Sequence, residues 1–98
     1  MDIIEAIRTR KSVRAYRDAA VAEEALDRIF EAVRLAPSAR NAQEWRFVVV
    51  RDASMRRRIA VEAAGQEFLA QAAAVIACCA ETDGRTMRCG QAAYPIDV

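Results

Sequence analysis

The chain has 98 residues and a mass of 10.9 kDa, room for one small domain. With 54% apolar and 30% charged residues, three glycines and two prolines, it is not a disordered, collagen-like or low-complexity chain. Fifteen basic against fourteen acidic residues leave a net charge of +1, which argues against bulk electrostatic binding to nucleic acid, and no apolar run approaches the roughly 20 residues of a membrane span.

The chain opens with Met1-Asp2-Ile3-Ile4-Glu5, acidic and amphipathic and unlike a signal peptide, so a cytoplasmic protein is expected. Ile3, Ile4 and Ile7 fall at helical spacing and predict a short amphipathic helix over residues 3–10. Arg10-Lys11-Ser12-Val13-Arg14 then alternates and predicts extended chain. Leu26, Ile29, Phe30 and Val33 sit at i, i+3, i+4 and i+7 of a second helix, with Glu23, Glu24 and Asp27 early and Arg34 late, matching the helix dipole. Pro37 ends it.

A polar connector, Ser38-Ala39-Arg40-Asn41-Ala42-Gln43, leads into Trp45-Arg46-Phe47-Val48-Val49-Val50. That run predicts a strand, with the three valines buried on both faces of a sheet. Asp52 predicts a cap for a third helix over residues 53–64, broken near Gly65, with a short helical piece over 66–72. Ala74-Val75-Ile76-Ala77-Cys78-Cys79 reads as a second buried strand, Thr82-Asp83-Gly84 as a turn, and the sequence from Gln91 onward is again apolar. These elements make an α/β (α+β) layered arrangement of a sheet with flanking helices. Two strands do not make an independently stable sheet, so the arrangement is incomplete in this chain.

Three cysteines, an odd number with two of them adjacent, and no histidine argue against a disulfide framework and a zinc site. Cys78 and Cys79 read as small core residues, Cys89 as a loop thiol. Without histidine the commonest general base and the Ser-His and Cys-His pairs are gone, so no catalytic side chain is assigned and a cofactor is expected to carry any chemistry.

Two constellations stand out. Arg8, Arg10, Lys11, Arg14 and Arg17 surround Ser12. In extended chain Arg10, Ser12 and Arg14 share a face, and two guanidinium forks beside a hydroxyl match phosphate oxygens. Composition alone slightly favours a solvated basic edge. A nucleic-acid arm is weakened by the lack of interleaved aromatics apart from Tyr16. The connector between Pro37 and Trp45 offers side-chain and backbone donors between a helix and a strand, where ligands often bind, although ordinary turn bonding by Ser38 and Asn41 explains it as well. Arg56-Arg57-Arg58 fans out around a helix and reads as a solubilising run.

In this order and spacing, Arg10-Lys11-Ser12-Val13-Arg14-Ala15-Tyr16 and the stretch from Ala36-Pro37-Ser38 through Asn41-Ala42-Gln43-Glu44-Trp45 to Val50 resemble the nitroreductase-like flavoprotein family. Ala63-Ala64-Gly65-Gln66 and the strand ending in Cys78-Cys79 follow in the family's order. The resemblance spans residues 1–98 and the N-terminal half of the usual family domain. It implies FMN bound at the interface of an intertwined homodimer, with NAD(P)H as reductant and a nitro, quinone or similar small-molecule acceptor in a ping-pong cycle. Residues matching Arg10, Ser12 and Arg14 would hold the flavin's phosphate and ribityl chain, with Lys11 close by. Pro37, Ser38, Ala39 and Asn41 match the loop that approaches the flavin from the other subunit, and Gln43 a cofactor contact there. Neither nucleic acid, membrane nor metal enters this picture. Glu44 departs from the family, which often has proline after the glutamine. The alternative is a catalytically inactive remnant that serves only as a fold or dimerisation module.

Overall fold

Asp2 starts the first helix. Its carboxylate accepts the Glu5 amide at 2.7 Å and caps α1 (Ile3–Thr9), which ends where Arg10 turns extended at ψ 132°. The structure, a computed structural model, describes residues 1–82, 86–92 and 94–98, with the side chains of Ile96 and Asp97 excepted. From Arg10 to Ala22 the chain runs without regular secondary structure, and α2 (Glu23–Arg34) follows. Glu23 and Glu24 lie in the first turn of α2 and Arg34 in its last, as the sequence pattern requires of a dipole-matched helix.

The two expected strands form and pair antiparallel. β1 (Trp45–Val50) meets β2 (Val75–Ala80) in the register Trp45↔Ala80 through Val50↔Val75. Beyond this pair the Glu81 amide donates to the Glu44 carbonyl at 2.6 Å, which carries the ladder one step past the end of β1. Phe30 of α2 lies on Phe47 of β1, ring centroids 6.0 Å apart, and fixes the helix on one face of the sheet.

Between the strands, Asp52 caps α3 (Ala53–Arg58) by accepting the Met55 amide at 2.8 Å. The helix then loosens into a π turn over Ile59–Ala63, with the Ala64 amide on the Ile59 carbonyl at 2.9 Å. Gly65 at φ +63° ends it, in the left-handed conformation that favours glycine at a helix C-terminus. The expected short helical piece is a 3-10 turn, Glu67–Gln71. Thr86 bridges Ala92, and α4 (Tyr94–Asp97) closes the chain. Of the turn expected at Thr82-Asp83-Gly84, Asp83 and Gly84 lie outside the described residues.

Among the described residues, the fully buried apolar positions are Leu26 of α2 and Ala60 of the π turn. The accessible surface is 8006 Å², against about 5,600 Å² for a compact monomer of this mass. The radius of gyration is 15.9 Å, where about 12.6 Å is usual for this length.

Three expectations are corrected here. Val48 is 51% exposed, and Val49 and Val50 are only half-buried, so β1 is not buried on both faces. Cys78 and Cys79 are exposed rather than core residues. Side chains alternate along a strand, so Val48 and Cys79 lie on the face away from Phe47 and α2, whereas Cys78, the partner of Phe47, lies on the α2 face and is exposed because one helix covers only part of a sheet two strands wide. Arg56 does not merely solubilise. It is half-buried, donates to the Arg51 carbonyl at 3.0 Å and the Ala70 carbonyl at 3.3 Å, and also bonds the Ala72 carbonyl, tying α3 to the turn that leads into β2.

Candidate functional site

The basic segment leaves α1 directly. Arg10 is the C-cap of that helix, and Lys11, Ser12, Val13 and Arg14 continue as exposed, irregular chain. Among the described residues no ion pair engages Arg8, Arg10, Lys11, Arg14 or Arg17, and the Ser12 hydroxyl makes no hydrogen bond. Acidic partners are taken elsewhere. Glu23 holds Arg51 at 2.5 Å, and Glu31 holds Arg34 at 2.7 Å. In both pairs the hydrogen bond, then the charge, keeps the carboxyl below its usual range and raises the arginine. The far end of the segment is anchored by Tyr16, whose hydroxyl donates to the Val13 carbonyl at 3.1 Å and whose ring stacks on Phe68 at 6.2 Å. Sequence reasoning did not find Phe68. Its only signal was an aromatic residue in an otherwise alanine-rich stretch.

The connector is built differently. Pro37 ends the run from α2, and a 3-10 turn spans Ala39–Asn41 with its first amide bonds closed back on Ser38 and Ala39. The Ser38 hydroxyl accepts the Gln43 amide at 3.0 Å and closes the loop on itself. Three non-glycine residues then sit in the left-handed region: Arg40 at φ 54°, Asn41 at φ 54° and Gln43 at φ 51°. Such residues cost on the order of 1 kcal/mol or more each, less for asparagine, and cluster where function fixes the backbone. The side-chain amides of Asn41 and Gln43 make no hydrogen bond among the described residues and are exposed. Glu44, where the resemblance expects proline, is 95% buried at the base of the loop.

Both constellations therefore exist, one cationic and without regular secondary structure, the other nearly uncharged and closed by its own hydrogen bonds. Within one chain no hydrogen bond or ion pair among the described residues joins Arg10, Lys11, Ser12 or Arg14 to Pro37, Ser38, Ala39, Asn41 or Gln43. The strained backbone was not legible in the sequence, because Arg40 and Gln43 carry none of the glycine or aspartate signals of a left-handed turn.

The chain thus combines mixed helix and antiparallel sheet with an exposed cationic segment and a loop closed on itself. It belongs to the nitroreductase family, whose model matches residues 7–96. The FMN reductase [NAD(P)H] of Bacillus subtilis is 36% identical over 80 residues, which cover 82% of this chain and 32% of that protein. An NADH dehydrogenase of Thermus thermophilus is 36% identical over 95 residues, covering 97% of this chain and 46% of that one. Among solved structures, a nitroreductase family protein of Clostridium novyi superposes with a TM-score of 0.86 at 26% identity, over 99% of this chain and 57% of its own. An FMN-dependent nitroreductase of Clostridium difficile gives 0.76 at 31% identity, over 85% of this chain and 49% of its own. The chain spans less than half the length of the curated relatives it matches.

Proposed function

We propose that this chain supplies one part of the cofactor site of an FMN-dependent NAD(P)H oxidoreductase. The observation that carries the reading is the cluster of five exposed cations around Ser12, none of them in an ion pair among the described residues. FMN, when bound, supplies hydride acceptance from NAD(P)H and onward transfer to a nitro, quinone or similar acceptor in a ping-pong cycle.

The residues fit an anionic cofactor. Arg10 and Arg14 would grip phosphate oxygens through their guanidinium forks, the Ser12 hydroxyl would donate a further bond, and Lys11 would add a mobile point charge. Pro37, Ser38 and Ala39 would bring rigid backbone against the cofactor. The exposed amides of Asn41 and Gln43 would orient it by hydrogen bonds. A loop already held by Ser38 needs little rearrangement to do so, which lowers the ordering cost of binding.

A homodimer with the site at the subunit interface accords with the exposed apolar positions Ile3, Ile7 and Leu35, 76%, 67% and 68% accessible, beside the candidate segments. It also accords with the finding that no hydrogen bond or ion pair among the described residues joins the two constellations directly within one chain. The test is titration of FMN into purified protein with flavin fluorescence and solution mass read together. Saturable quenching by a dimer supports the reading, and a colourless protein indifferent to FMN overturns it.

A second reading, a fold or dimerisation module without catalysis, draws on the small core. FMN-dependent NAD(P)H consumption by the 98-residue chain would dispose of it.

A further inference from the structure

A second cationic wall lies away from the basic segment. A cavity of about 440 Å³ opens between the strained loop and residues 86–88, with Arg40, Glu44, Thr86 and Arg88 among its lining. None of residues 8–17 is in that wall among the described residues.

Arg40 and Arg88 are both exposed, and neither is engaged in an ion pair or side-chain hydrogen bond among the described residues. The described wall holds two guanidinium groups and one carboxyl group, that of the buried Glu44. The Thr86 hydroxyl adds a neutral donor. Two forked donors in the lining of one cavity suit a tetrahedral oxyanion better than a planar apolar ring. Arg40 is also one of the three residues held in the left-handed region, so its backbone is fixed before any ligand arrives.

The chain thus carries a second pair of cations, in a cavity that adjoins the connector at Ala39, and one flavin phosphate held by Arg10 and Arg14 does not account for it. We infer that the cavity binds a phosphate group of the reducing dinucleotide, with Arg40 and Arg88 as its charged ligands and Thr86 as a hydroxyl donor. This rests on the oxidoreductase reading above. The shared chemistry is a phosphate, either the pyrophosphate bridge of both dinucleotides or the additional 2′-phosphate of NADPH.

Trp45, the single tryptophan, is half-buried next to Glu44 in the chain and serves as reporter. The flavin-free 98-residue chain is titrated with inorganic pyrophosphate, NADP+ and NAD+, following Trp45 fluorescence, with calorimetry on the same samples in case the tryptophan is silent. With the Arg10–Arg14 grip removed by Arg10→Ala and Arg14→Ala together, saturable binding of pyrophosphate and NADP+ is still expected, and it is weakened about tenfold when Arg40→Gln or Arg88→Gln is added. Arg40→Lys, which keeps the charge, should retain most of it. Binding of NADP+ about tenfold tighter than NAD+ identifies the 2′-phosphate, and equal binding identifies the pyrophosphate. No heat and no fluorescence change at millimolar ligand overturns the inference, as does parental affinity in both glutamine variants. Failure of FMN binding is read in its own titration and leaves the pyrophosphate result standing.

Discussion

The two halves of the candidate site achieve readiness by opposite means. Residues 8–17 concentrate five cations, Arg8 in the last turn of α1 and the other four on irregular chain whose tertiary anchor at the far end is the stacking of Tyr16 on Phe68. Residues 37–44 carry little charge but hold three non-glycine residues at positive φ, closed by the bond from the Gln43 amide to the Ser38 hydroxyl. Charge can attract a ligand from loose chain, because Coulomb attraction tolerates positional slack. Orientation cannot be achieved that way, and it needs a backbone already committed to one conformation.

That contrast is most easily broken at the cations. Arg10→Ala and Arg14→Ala should each weaken FMN binding by about 1.5–3 kcal/mol, the value of a charge-assisted contact, with little change in folding stability. Fluorescence titration checks the affinity and a urea melt the stability. Unchanged affinity in both variants would make the segment a solvated edge. At the loop the ranking should invert, with stability responding more than charge balance. Ser38→Ala removes the acceptor for the Gln43 amide and should lower the urea midpoint by the equivalent of about 0.5–1 kcal/mol, at the low end of a hydrogen bond because Gln43 is exposed to water.

A smaller effect of opposite sign is expected for Arg40→Gly, which relieves left-handed strain at the cost of a more flexible unfolded chain. Net stabilisation of about 0.5 kcal/mol should appear in the same melt, whereas a glycine at Arg14, in no such strain, should gain nothing. The smallest effect concerns pH. Glu23 and Glu31 have carboxyls held below their usual range in the folded state by Arg51 and Arg34. Their contribution is present above the unfolded carboxylate range and is lost as pH falls through the lowered folded values. Both are fully exposed, so an acid melt of Glu23→Gln should differ from the parent only slightly, and only toward low pH.

Much of this organisation is legible in residue order. The dipole-matched pattern of Glu23 to Arg34, the Asp52 cap, the break at Gly65 and the aromatic, β-branched run from Trp45 each act through local chemistry, and each appears close to where the pattern places it. Burial is a different matter. Val48 and Cys79 look like core residues because strand composition records the faces a sheet is meant to cover, whereas actual burial depends on layers that this chain contributes only in part. Arg56 was misplaced for a related reason: a run of three arginines hides the one whose helical position points at the carbonyls of a neighbouring turn. At the site, the cations and amides are readable from residue type. The left-handed conformations of Arg40 and Gln43 are not, since they come from loop closure rather than from those side chains.

The bond from the Glu81 amide to the Glu44 carbonyl has a consequence for motion. Because it continues the β1–β2 ladder into the base of the loop, the loop cannot swing free without first unzipping the end of the sheet. Solvent exchange at the Glu81 amide therefore measures how often the orienting half of the site lets go, and a ligand seated on residues 38–43 should slow that exchange from a distance, through the strand pair alone.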